Sequence, residues 1–284
     1  MSPQASITKA SGEHVEFSRD KLIRSLERAS ASEVVIANIV KQVEESLFDG
    51  ISTHEIYTMA FDFLRQEERA SAGKYKLKRA IMELGPSGFP FEKFIAALLE
   101  HEGYKVRTGV ITNGKCVTHE IDVIAVKDNE EHIIECKFHN LGGMMCDVKI
   151  PLYIHSRFRD VEAYSQKHRT GAIPTMKGWV VTNTRFTDDA LEYGLCAGLH
   201  LMGWSYPEKK SLRSKIDTGG LYPITCLTTL SKLEKQVLLK EGVVLCKELN
   251  NVQGVLDKAS VSKIRQKKVM FEVNSLCNHN PHQH

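Results

Sequence analysis

Through the first third of the chain apolar residues recur every three or four positions: Leu22, Leu26 and Ala29, then Val35, Ile39, Val43 and Leu47, then Ile56, Ala60, Phe63 and Leu64. That period belongs to helices burying one face, and Ser18 and Ser52 or Thr53 stand where helix N-caps are wanted. Residues 5–9 and 14–17 read as a short strand pair turned by Ser11 and Gly12. Residues 1–85 are therefore expected to form a small helical domain behind a hairpin. Gly85, Pro86, Gly88 and Pro90 break the pattern as a linker, and residues 91–101 resume as an amphipathic helix.

The period then changes from helical to alternating. Residues 104–112 read as a strand, Asn113-Gly114 as a hairpin turn, and residues 115–126 as the returning strand. A second turn at Asp128-Asn129 leads into residues 131–138, so three strands make a meander. After a Gly-containing loop come a helix over 156–167, a strand over 177–183, a helix over 188–197 and a strand over 199–204. The order helix, three strands, helix, strand implies an α/β (α+β) domain over 89–205: an αβββαβ mixed sheet with helices on its faces. Residues 205–220 are polar and broken, and 221–277 read as short helices.

The second hairpin carries the chemistry. If Asp128-Asn129 is a two-residue loop, partner positions sum to 257, which sets Asp122 opposite Glu135. Like charges facing each other across strands destabilise the pair unless a cation joins them. Hard carboxylate oxygens suit Mg²⁺ or Mn²⁺, and no thiolate and imidazole set stands here to select zinc. Lys137 shares the Glu135 face by the two-residue period, while Cys136 points away. A metal beside that ammonium can activate water and stabilise a phosphoryl charge. The bland alternative is a solvated hairpin face. Ile121, Val123, Ile124, Ile133 and Ile134 argue against it by making both strands core-like.

With 284 residues, 42% hydrophobic and 26% charged, the chain has enough apolar residues for real cores. It contains no apolar run of roughly 18 residues and no secretory leader at Met1, so a cytoplasmic protein without a membrane span is expected. Seven cysteines lacking a C-x-x-C pair lie mostly in apolar segments and read as reduced thiols. A net charge of +3 makes any nucleic-acid footprint local. The tail 278–284 contains three histidines and reads as a disordered end.

Ile7, Thr8, Lys9, Gly12, Phe17, Asp20, Lys21, Leu22, Ser25, Leu26 and Asp49-Gly50-Ile51 resemble the ATP-cone, a nucleotide-sensing domain. The resemblance implies ATP or dATP as regulatory ligand, with Lys9 and Lys21 on phosphates, Thr53 at the base or phosphate, and Tyr57 among the binding residues in a place where a histidine is sometimes found. Many cones have arginine after the first lysine; here Ala10 stands there.

Phe91-Glu92, Gly103-Tyr104, Glu120-Ile121-Asp122, Ile134-Glu135-Cys136-Lys137 and Val180 through Thr184 resemble the Mrr-like branch of the PD-(D/E)xK restriction endonucleases. By that resemblance Asp122, Glu135 and the backbone carbonyl of Cys136 would ligate Mg²⁺ (or Mn²⁺). Lys137 would assist the nucleophilic water, and Glu92 would complete the acidic set.

The last segment resembles a helix-hairpin-helix, with a turn at residues 260–263 followed by Lys263, Arg265, Lys267 and Lys268, although the usual glycine is missing.

The expectation is a metal-dependent DNA endonuclease controlled by ATP or dATP, acting as a homodimer or higher oligomer, with a role in defence against foreign DNA. The alternative is a nucleotide-responsive DNA-binding regulator on an inactive nuclease fold. An enzyme of nucleotide metabolism finds no Walker loop to support it.

Overall fold

The computed structural model describes residues 5–9, 11–170 and 174–277. It opens with antiparallel β1 (Ser6–Thr8) and β2 (His14–Glu16), followed by α1 (Arg19–Glu27), α2 (Glu33–Glu45), α3 (Thr53–Glu67), α4 (Arg69–Tyr75) and α5 (Leu77–Met82). The periodic positions form its core, with Leu26, Ile39, Val43, Ala60 and Leu64 at most 1% exposed. Ser18 caps α1, and Ser52 and Glu55 form a reciprocal capping box on α3.

The second unit comprises α6 (Phe89–His101), β3 (Lys105–Asn113), β4 (Thr118–Lys127), β5 (Glu130–Lys137), β6 (Met145–Cys146), α7 (Lys149–His168), β7 (Thr175–Thr182), β8 (Arg185–Phe186), α8 (Asp188–Cys196) and β9 (His200–Met202). Its main sheet has the order β3-β4-β5-β7-β9. The first three strands are antiparallel, and β7 and β9 run parallel to β5. This is the mixed sheet expected from the sequence. The helix α7 begins at Lys149, seven residues before the expected start at 156, because Pro151 falls in its first turn, where a missing N–H costs nothing.

Asn113-Gly114 is not a two-residue turn. The β3–β4 ladder closes at Asn113↔Thr118, leaving a four-residue loop. Asp160 of α7 reaches into that loop and takes the N–H of Cys116 at 2.9 Å. Gly114 is needed there, since a Cβ would fall 2.0 Å from the Asp160 carboxylate.

The remaining helices are α9 (Leu212–Gly219), α10 (Lys232–Lys240), α11 (Val255–Lys258) and α12 (Lys263–Cys277). They share one hydrophobic core with α5, α6 and the sheet, through residues such as Ile81, Phe94, Ile134, Leu238 and Val273. By packing, α5 thus belongs with the second unit. No helix among the described residues is long and apolar enough to cross a membrane. All seven cysteines are free, five of them buried.

Candidate active site

Asp128 and Asn129 both take left-handed backbone, with φ of +51° and +61°, and close β4 on β5 in a two-residue turn. The register follows the 257 sum from Lys127↔Glu130 to Val123↔Ile134 and stops there. Asp122 and Glu135 therefore do not form the expected ladder pair. Instead the Asp122 carboxylate turns across the gap and accepts the backbone N–H of Cys136 at 2.7 Å. On its other side, Gly109 stands where a partner for Asp122 would be, with φ of +59°, and the β3–β4 pairs skip this position. The sheet is thus opened on both sides of Asp122, at a glycine that alone takes this backbone without strain.

Glu135 and Lys137 are held by β7, which pairs with them at Val180 and Thr182. Thr182 donates its hydroxyl to the Lys137 carbonyl at 2.8 Å. Buried Asn183 then clamps His139, donating to its carbonyl at 2.7 Å and accepting its N–H at 2.8 Å. The 180–184 segment splints the end of β5.

Burial raises the pKa of Asp122, against the lowering effect of the Cys136 N–H and the charges of Arg157 and Lys137. Glu135 is also raised, by burial and then by Asp122. Glu92 arrives from α6 and is pushed up to about 7 by burial and the charges of Asp122, Glu120 and Glu135. The three carboxylates that the sequence nominated therefore lie within electrostatic reach of one another, each held above its ordinary carboxylate pKa.

Arg157 of α7 was not foreseen. Its Nη1 donates to Glu135 Oε2 at 2.6 Å and to the Glu120 carbonyl at 3.3 Å, and its Nη2 donates to the Tyr153 hydroxyl at 2.5 Å. Its Nε is buried without a partner among the described residues. No sequence signal marks it, because an arginine on a long polar helix looks like any solvated residue.

Lys9, Lys21, Thr53 and Tyr57 line one cavity of about 230 Å³ in the first unit, together with Phe17 and Tyr75. Lys21 lies in the first turn of α1 and Thr53 opens α3, so two helix N-termini border it. Lys9 pairs with Glu13 at 2.9 Å. Tyr57 stacks on Tyr75 with ring centroids 5.1 Å apart, and its hydroxyl is buried without a partner among the described residues. Ala10 and the 278–284 tail lie outside the described residues.

The C-terminal cations are mostly spoken for. Lys263 sits 2.7 Å from Asp257, and Arg265 holds Glu234 and the Thr229 carbonyl. Lys267 and Lys268 border a separate cavity shared with Gln66 and Arg69.

A fold of this kind, with a cone-like unit ahead of an acid-bearing mixed sheet, defines a nucleotide-binding domain joined to a restriction-endonuclease domain. Comparison bears this out: an ATP cone domain matches residues 5–83 and a restriction endonuclease (Mrr catalytic) domain matches residues 85–149. An AF1548-like C-terminal domain matches residues 222–277. An uncharacterized protein of Archaeoglobus fulgidus is 39% identical over 186 residues, spanning 64% of this chain and 99% of its own. The crystal structure of the protein of unknown function AF1548 is similar with a TM-score of 0.56 and 34% identity, over 68% of this chain and 99% of that one. The chain belongs to the AF1548-like family.

Proposed function

We propose that this protein is a Mg²⁺- or Mn²⁺-dependent endonuclease that hydrolyses DNA phosphodiester bonds, with ATP or dATP in the cone setting its activity. The observation that carries this reading is the pair of half-buried carboxylates Asp122 and Glu135, joined through the Cys136 N–H and within electrostatic reach of both Lys137 and Glu92. Excess negative charge at half-buried positions calls for a cation. Among the described residues no group of three or more His, Cys, Asp or Glu side chains stands placed to hold a metal ion by itself. The donor set that fits is the oxygen-only one, two carboxylates and the Cys136 carbonyl, which suits a hard divalent ion retaining water. Such an ion, when bound, supplies a water of lowered pKa and neutralises the phosphoryl oxygens.

In this reading Lys137 orients the attacking water and meets the developing negative charge, and Glu92 exchanges a proton at its carboxylate near neutral pH. Lys9 and Lys21 hold nucleotide phosphates, and Thr53 and Tyr57 face the base or phosphate. Residues 1–85, 89–205 and 221–277 serve as sensor, nuclease and DNA-contacting segment. The protein works in the cytoplasm as a homodimer or higher oligomer, since two strands need two sites or two visits, and defence against foreign DNA is the role its nuclease class supports.

One observation favours a second reading. Arg157 on Glu135 supplies a positive charge from the protein itself, as would suit a DNA-binding regulator that does not cut. Plasmid nicking and linearisation with Mg²⁺ or Mn²⁺, with and without ATP or dATP, separates the two. The native chain should cleave and Lys137→Ala should lose at least about 100-fold, as when a group stabilising transition-state charge is removed. Equal DNA binding by both proteins and cleavage by neither selects the regulator.

A further inference from the structure

A cavity of about 830 Å³ lies between the end of the cone, the 85–86 segment and α10. Lys76, Arg79, Lys232 and Lys235 line it, against the single carboxylate of Glu83, and Asn140 stands at its wall three residues beyond Lys137. Gly85 and Pro86 also line it and run directly into Gly88, whose Cβ position would lie 3.3 Å from the Glu92 carboxylate and 4.0 Å from Phe138. The groove therefore begins within a few residues of both Lys137 and Glu92.

Its charges are unbalanced. Glu83 is shared by Lys76 at 3.2 Å and Arg79 at 3.5 Å. Lys235 is only 8% exposed, and its ammonium donates to the Thr225 carbonyl at 3.1 Å with no carboxylate in salt-bridge range among the described residues. Burial and then the Lys76 charge lower the Lys235 pKa to about 8. A buried ammonium beside a second lysine is costly unless an anion joins them. Phosphodiester oxygens would supply such an anion, and lysines and arginines bind them without reading sequence.

We propose that this groove carries the phosphate backbone of the nucleic-acid strand next to the catalytic face, with Lys76, Arg79, Lys232 and Lys235 as its phosphate contacts. The inference rests on the nuclease reading and adds to it a path for the substrate that the C-terminal turn at 260–263 does not supply. Two of the cations come from the end of the cone. Lys76 and Arg79 stand at the start of α5, the helix that packs with the second unit.

The test uses full-length protein in a Lys137→Ala background, so that binding is read without cleavage, and measures anisotropy of labelled duplex and single-stranded DNA across a salt series. Each lost phosphate contact lowers the slope of log affinity against log salt by about 0.7–0.9. Arg79→Ala with Lys232→Ala, both at exposed positions, should lower the slope by about 1.4–1.8 and weaken binding roughly tenfold at physiological salt. Lys235→Met should lower the slope by about 0.7–0.9 while keeping the native melt. Lys41→Ala with Arg65→Ala, an equal charge change at exposed positions outside the groove, should leave the slope unchanged. Parent binding with an unchanged slope in the groove variants overturns the groove and leaves the nuclease reading standing. No parent binding to either DNA overturns both. Inorganic triphosphate bound more tightly than DNA, and lost in the groove variants while DNA binding persists, would make this a small-anion site and also overturn the proposal.

Discussion

Arg157 and Asp160 lie within one turn of α7, yet each joins an acidic site of opposite character. Asp160 accepts the N–H of Cys116 at 2.9 Å and of Val117 at 3.4 Å and meets His119 Nε2 at 2.8 Å, and these bonds hold its pKa down to about 2, the His119 bond contributing most. Arg157 joins Asp122, Glu135 and Glu92, whose pKa values rise. The first carboxylate is fully answered by its own chain and closes a loop. The second set is only partly answered, by Arg157, Lys137 and one backbone N–H. Residual electrostatic strain separates the proposed reacting site from a structural one in the same domain.

The largest effect on the folded state is expected at the answered carboxylate. Asp160→Ala leaves two loop N–H groups and His119 without their acceptor, so the melting temperature at pH 7 should fall and the 114–117 loop should exchange its amides faster. A carboxylate held low contributes stability above its unfolded value near 3.8 and loses it as pH drops through about 2. The deficit should therefore narrow in melts run below pH 4. A deficit that stays constant with pH would mean that Asp160 acts by packing and that the contrast is not electrostatic.

What the sequence showed of these two regions differed for a physical reason. The two-residue turn at Asp128-Asn129 and the register it sets follow from local chemistry and period two and are present in the structure, but the ladder ends one pair short of the expected facing of Asp122 and Glu135. The interruption of the ladder beside Asp122 depends on Gly109, a residue on another strand whose positive φ has no local signature. Arg157 and Asp160 depend on where α7 crosses the sheet, a tertiary fact that a polar helical stretch does not encode. Asn113-Gly114 misled because the turn preference of the dipeptide gave way to a carboxylate from α7 that organises four residues. The lysines of the groove escaped notice because they are separated by more than 150 residues and meet only through packing of α5 with the C-terminal helices.

Arg157→Met sharpens the comparison at the reacting site. It removes a positive charge 2.6 Å from a proposed metal-ligand oxygen while keeping an apolar stem. Calorimetric titration with Mn²⁺ should show binding tightened by about fivefold, the equivalent of one ion pair near 1 kcal/mol. Weaker binding would instead assign Arg157 to holding Glu135 in place for the cation.

The smallest effect, and the most specific, is expected from Glu92→Gln. A carboxylate whose folded pKa is raised to about 7 adds stability below its unfolded value of 4.5 and loses that stability as pH rises through 7. The glutamine variant should therefore melt higher than the native chain at pH 8, by about 2–4 °C for each kcal/mol of repulsion relieved. By pH 5 the native Glu92 holds its proton and the two melts should converge. Saturating Mn²⁺ at pH 8 should also shrink the gap, because a cation between Asp122 and Glu135 removes most of the field that Glu92 feels. A gap that persists at pH 5 would place the strain in shape rather than charge, and the two acidic sites of α7 would no longer differ in kind.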